Sequence, residues 1–209
     1  AAINETIEIG GGTQTLVLPA GPFLRVVGED LVLTAAGQKL RGSFAFQQVT
    51  RGTEKVITVG VRNVSLALSD GANTLVQVTD GEGALLITGT GLAGRVSGVV
   101  SVTIPSVSVS GTLAIAVNTT NLPVDETIDV AGVPVALKLD AGQFVRVEGT
   151  DVQATVLGQR LSGNFSFERI STTGPTPSLV VRIALDNVSL ALGDGTTDYV
   201  TVSGASGAF

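Results

Sequence analysis

Residues 107 to 118, VSVSGTLAIAVN, alternate almost without fault. Val107, Val109, Leu113, Ile115 and Val117 point one way, and Ser108, Ser110, Thr112, Ala114, Ala116 and Asn118 point the other. A period of two marks a strand with one face buried. The run RVSGVVSVTI repeats the pattern with Val96, Val100, Val102 and Ile104. Abundant Val, Ile and Thr suit a pleated surface, and helical spacing at i, i+3, i+4 is sustained nowhere. The breaks are turn chemistry. Asp70-Gly71, Asp80-Gly81 and Asp194-Gly195 supply the positive φ that hairpin turns need. Gly28 and Gly149 are expected to end strands, Gly37 and Gly158 to punctuate the next pair, and Pro105 to divide two long strands at an edge or corner. Strands recurring every 8 to 14 residues or so predict a sandwich, barrel or solenoid.

The strands are written twice. INETIEIGGG, from residue 3, aligns with VDETIDVAGV, from residue 124, at a shift of 121. AGPFLRVVGEDLVLTAAGQKLRGSFAFQQVT aligns with AGQFVRVEGTDVQATVLGQRLSGNFSFERIS at the same shift, with 14 of 31 positions identical. Copy two then gains three residues in TTGPTPS, and NVSLALSDG matches NVSLALGDG with one difference in nine. A fixed period is the mark of repeat architectures, whose neighbouring units share interfaces. The expected units are residues 1–121 and 122–209, the second truncated. The chain thus opens inside one unit and stops inside the next, which suggests a window on a longer tandem array or a processed polymer subunit. A weaker echo relates LTAAGQKLRGSF to ITGTGLAGRVSGVV at about half the period.

Matched aromatic sites set the expected core. Leu40, Phe44 and Phe46 share one face, as do Leu161, Phe165 and Phe167, with Gly42 and Gly163 on the same side. Six of the seven Phe fall at matched places: 23, 44, 46 and 144, 165, 167. Core packing is the plain reading, since an aromatic ligand platform would use exposed Trp or Tyr, and the chain has no Trp and one Tyr. The opposite face carries Ser, Thr, Ala and Asn. Small residues let another layer approach closely, and the uncovered borders of such sheets invite pairing. Packing between modules or filaments is expected through these faces, against the alternative of an ordinary solvated face.

Composition narrows the chemistry. The chain has 209 residues, no Cys and no His, which removes the usual zinc sites, a Ser–His–Asp triad and a Cys nucleophile. A net charge of −6, with basic residues scattered singly, argues against nucleic acid. No apolar run reaches the roughly 18 residues of a membrane-spanning helix. The chain begins AAINET without a visible signal peptide, as mature processing or excision would leave it.

Few motifs remain. Five Asn-x-Ser/Thr sequons, at Asn4, Asn63, Asn118, Asn164 and Asn187, raise glycosylation, with the last four on the polar side. Phe-x-Arg-Val-x-Gly-x-Asp recurs at 23–30 and 144–151, so Arg25 is expected to meet Asp30, and Arg146 Asp151, across a turn. Asp194-Gly-Thr-Thr-Asp198, with Asp70 and Asp80, suggests calcium, against plain Asp-Gly turns. Copy one reads SDGANT and puts Thr74 where copy two has Asp198. Glu5, Glu126 and Asp129 lie near strand starts without a pairing that would mark glycoside hydrolysis. No catalytic, cofactor-binding or metal-ligating residue is singled out, and no cofactor is expected beyond the calcium alternative.

The run NVSLALGDGTTDYVTVSGASGA, with ALLITGTGLAGRVSG and SVSGTLAIAVNTTN, resembles repeats in very large secreted or surface-bound, adhesin-like bacterial proteins. The resemblance covers essentially the whole chain and implies an extracellular, extended, mostly structural protein. The expectation is therefore an all-β fold of antiparallel strands, in an elongated sandwich or solenoid-like stack with a period of 121 to 124 residues. The expected function is a non-enzymatic module of an extracellular or cell-surface fibre, stalk or adhesin. It joins like modules through sheet faces or edges, without nucleic acid or membrane insertion. One alternative is an adhesin gripping sugar or protein through loops such as 171–178, which diverge between the copies. The other is a glycan-active enzyme on a β scaffold.

Overall fold

The alternating runs become strands in a computed structural model, and they are longer than the turn chemistry suggested. The structure describes residues 3–18, 21–35, 38–171 and 178–209. Among the described residues the regular elements are strands. Two short ones, β1 (Ile3–Ile9) and β2 (Gly12–Leu18), form a hairpin. Six long ones then follow as a meander: β3 (Phe23–Ala35), β4 (Gln38–Arg51), β5 (Glu54–Ser69), β6 (Thr74–Thr88), β7 (Gly91–Ile104) and β8 (Val107–Asn118). A second short hairpin, β9 (Val124–Val130) and β10 (Val133–Leu139), leaves the sheet. The chain returns in β11 (Gln143–Val156), which pairs with β8, and continues through β12 (Gln159–Ser171), β13 (Leu179–Gly193) and β14 (Asp198–Ala208).

The result is one open, all-antiparallel sheet of ten strands in the order β14-β13-β12-β11-β8-β7-β6-β5-β4-β3. The expected unit boundary at 121/122 falls in the link between β8 and β9, and sheet pairing continues across it through β8 and β11. Among the described residues no helix is long and apolar enough to cross a membrane.

Turns follow the residue chemistry. Ala131 (φ 51°) and Gly132 (φ 81°) make the two-residue β9–β10 turn, where positive φ at both central residues matches the twist of the flanking strands. Gly71 and Gly195 turn the β5–β6 and β13–β14 connections. Pro105-Ser106 separates β7 from β8, as the sequence suggested. Gly37 lies outside the described residues.

Three expected breaks are corrected. Gly28 and Gly149 do not end strands, and Asp80-Gly81 is not a hairpin turn. Each lies at an irregularity inside a continuous strand: between Gly28 and Leu31 in β3, between Gly149 and Val152 in β11, and between Thr79 and Glu82 in β6. The extra residue sits left-handed at Asp30, Asp151 and Asp80, with φ of 48°, 52° and 53°. Asn63 and Asn187 do the same in β5 and β13. A β-bulge needs one residue off the ladder, and Asp and Asn accept left-handed φ more readily than other non-glycine residues. Gly42 and Gly163 share the row. A Cβ on either would meet the valine that follows a left-handed Asn, Val64 beside Gly42 and Val188 beside Gly163.

The core lies on the opposite face from the one expected. Alternation holds, but the buried members of β8 are Ala114, Ala116 and Asn118, whereas Ile115 is 56% exposed. Phe44, Phe46 and Phe165 are half-buried, and Leu161 and Phe167 are exposed. The reason is the β9–β10 hairpin, which lies over the small-residue side of β4 to β7 and buries it.

Candidate functional site

The hairpin seat lies across the expected unit boundary, and small side chains make it possible. Ala45 on β4, Gly60 on β5, Ala84 on β6 and Ala93 on β7 put little bulk above the sheet, and all are buried. Onto this floor β9 and β10 lower Val124, Ile128, Val130, Val135, Leu137 and Leu139, each at most 8% exposed. The fit is tight at Gly60, where an added Cβ would lie 2.5 Å from Val130 Cγ2 and 2.9 Å from Ile128 Cγ2. Val56 and Leu86 complete the cluster from the sheet side.

Charge pairs pin the rim. Arg25 on β3 reaches the Asp129 carboxylate and donates to the Asp129 carbonyl at 3.3 Å. Arg51, at the end of β4, donates through Nη2 to Oε2 of Glu126 at 3.0 Å, and its Nη1 faces Oε1. That hydrogen bond holds the Glu126 carboxyl below the usual carboxylate range and the Arg51 guanidinium above its own ordinary value. Such part-exposed pairs contribute only about 0–1 kcal/mol each, so they orient the hairpin more than they hold it.

Asn118 ties the link to the sheet. It is fully buried, and its Nδ2 donates to the carbonyls of Leu122 (3.0 Å) and Asp140 (2.8 Å). Its Oδ1 accepts from the Thr120 N–H (2.8 Å) and hydroxyl (2.7 Å). One amide thereby holds both the entry to β9 and the exit from β10. Phe144, buried at the start of β11, closes the core, with the Arg146 guanidinium 4.9 Å from its ring centroid. Arg146 donates from Nε to Glu168 Oε1 at 2.9 Å. Burial alone would lower its pKa, but the contacts with Glu168, Asp140 and Glu148 together raise it.

The motifs from the sequence fall out differently. Arg25 pairs with Asp129 rather than Asp30, and Arg146 with Glu168, Asp140 and Glu148 rather than Asp151. At the bulges, the N–H groups of Asp30 and Asp151 donate instead to Ser43 Oγ and Asn164 Oδ1. Asp194 accepts from the Tyr199 hydroxyl and from the N–H groups of Thr197 and Thr196, which together lower its pKa to about 2. Asp70 accepts from Ala72 and Asn73 in the matched turn. Asp198 is turned to Arg160 at 2.6 Å. Among the described residues no three His, Cys, Asp or Glu side chains gather as a metal centre.

Of the sequons, Asn4 lies exposed on β1, Asn63 and Asn187 are bulge residues, Asn164 caps Asp151, and Asn118 is sealed inside. Residues 172–177 of the divergent loop lie outside the described residues. Glu5 stands exposed on β1, at the place matched to Glu126. Sequence reasoning passes over Arg51 entirely, because its partner is 75 residues away. Asn118 is visible there only as a sequon. Comparison of the chain with protein-family models, curated proteins and solved structures found no match.

Proposed function

We propose that the chain is a structural repeat module, with a period of 121 to 124 residues, in an elongated stack of layered sheets. It serves an extracellular or cell-surface fibre, stalk or adhesin-like protein and joins like modules through its sheet faces. The observation that carries this reading is the hairpin seat: β9–β10, which opens the second unit, lies on the sheet of the first. Covering a small-residue face with a neighbour's apolar hairpin is a way to link units in series. Apolar burial supplies the adhesion, at about 25 cal/mol per Å². The open apolar face, with Val96, Ile115 and Phe167 about half exposed, and β3 and β14, the outermost strands of the sheet among the described residues, leave further surface for layering. The extracellular setting rests on the repeat resemblance and on a composition free of Cys. Electron microscopy of the purified chain at high concentration tests the reading. Rods or fibres with a regular axial spacing are expected, and discrete globular particles alone would overturn it.

A further inference from the structure

We infer that the β1–β2 hairpin of one copy docks on the β12–β14 face of a second copy, as β9–β10 docks on β4–β7 within the chain. The inference rests on the proposed function, in which like modules are the partner, and names the surfaces they use.

The two hairpins are the same device. Ile3 pairs with Leu18 and Ile7 with Gln14, in the register in which Val124 pairs with Leu139 and Ile128 with Val135. Yet Ile3 and Ile7 are 43% and 45% exposed, whereas the matched Val124 and Ile128 are 8% and 4%. One hairpin is seated, and on the other Ile3 and Ile7 stand open.

The floor is also written twice. Ser166, Ala184 and Ala208 stand at the places of Ala45, Gly60 and Ala84. They border β12, β13 and β14 in the same pairing, Ser166 with Ala184 and Ala184 with Ala208. Ala184 is exposed, and a groove of about 220 Å³ runs beside it, where its counterpart Gly60 is covered. The Ala184 methyl sets a docked hairpin slightly farther out than Gly60 does.

One charge pair is also written twice: the internal equivalent of Glu8 with Arg146 is Asp129 with Arg25. Arg146 shares the floor with Glu148, Glu168 and Asp186, so the apolar side chains, more than charge, carry the match. Arg182 is 66% exposed and 3.8 Å from Glu168, free to turn to a second acid.

The chain has no Cys, so engineered thiols report contacts cleanly. An Ile7→Cys chain is mixed with an Ala184→Cys chain or with a Val181→Cys chain, whose thiol sits on the opposite sheet face, and mixed disulfides are timed under mild oxidation. Docking raises the local thiol concentration, so the Ala184→Cys mixture cross-links about tenfold faster. An Ile7→Asp chain sediments as monomer at concentrations where the unmodified chain associates head to tail. Equal cross-linking rates, or an Ile7→Asp chain that associates unchanged, overturn the docking inference and leave assembly through other surfaces standing. A chain that stays monomeric throughout overturns docking and assembly together.

Discussion

Val130 lies directly over Gly60, so close that a methyl group on that glycine would come within 2.5 Å of the valine Cγ2. The hairpin thus rests on bare backbone, and its height above the sheet is set by the absence of one carbon.

Gly60→Ala should therefore destabilise the fold. Overpacking a tight core typically costs about 1–3 kcal/mol, and the lost contact lies between hairpin and sheet. The urea midpoint is expected to fall, with a larger drop for Gly60→Val. An unchanged midpoint for both variants would show that the hairpin is not seated there.

Asn118→Ala should be more damaging than its single-residue size suggests. It strips partners from the Thr120 N–H and the Asp140 carbonyl, while the Leu122 carbonyl keeps the Thr120 hydroxyl at 3.1 Å, and each buried group left unpaired costs about 1–3 kcal/mol. Expression in a glycosylating host gives an independent check. Intact mass and peptide mapping should find Asn118 unmodified in folded protein, while Asn4 is open to modification.

Acid should loosen the hairpin rim. Glu126 titrates below its ordinary value of 4.5 because Arg51 bonds its charged form. A depressed carboxylate stabilises the fold fully above that ordinary value and loses the contribution as pH falls through the lower folded pKa. Urea midpoints should drop below about pH 4.5, and Glu126→Gln should flatten part of that drop. Identical pH profiles for the two chains would remove the pair from the account.

The bulge residues should answer to shape rather than charge. Asn63→Gly keeps the left-handed backbone available, whereas Asn63→Val forces a β-branched residue into it at a cost of about 1–3 kcal/mol. Asn187 should give the same ordering. Equal stability of the Gly and Val variants would mean that the strand repairs itself another way.

Much of this is legible in the sequence. Period-two runs locate the strands, the Asp70-Gly71 and Asp194-Gly195 steps locate turns, and the small-residue side of β8 is the one buried at Ala114, Ala116 and Asn118. What misleads is local ambiguity. Gly28-x-Asp30 fits a strand end and a bulge equally well, because both need one residue off the ladder. Greasier residues also draw the expected core to Phe44 and Phe165, although burial follows whichever face a neighbour can reach. Alternation establishes that two faces differ, and not which one is covered. Arg25 illustrates the remaining gap: Asp30 is five positions away, while its real partner, Asp129, is 104 away, at a range periodicity cannot see.

The left-handed residues stand in nearly one line across the sheet, from Asp30 through Asn63 and Asp80 to Asp151 and Asn187. Sheets built from look-alike strands are prone to sliding, since a two-residue slip preserves the facing of every side chain. Here any slide would carry one kink out of step with those beside it and drive a valine into a neighbour that is no longer glycine. A chain that writes its strands over and over therefore carries its own alignment marks, and each new strand has a single position in which it can be laid down.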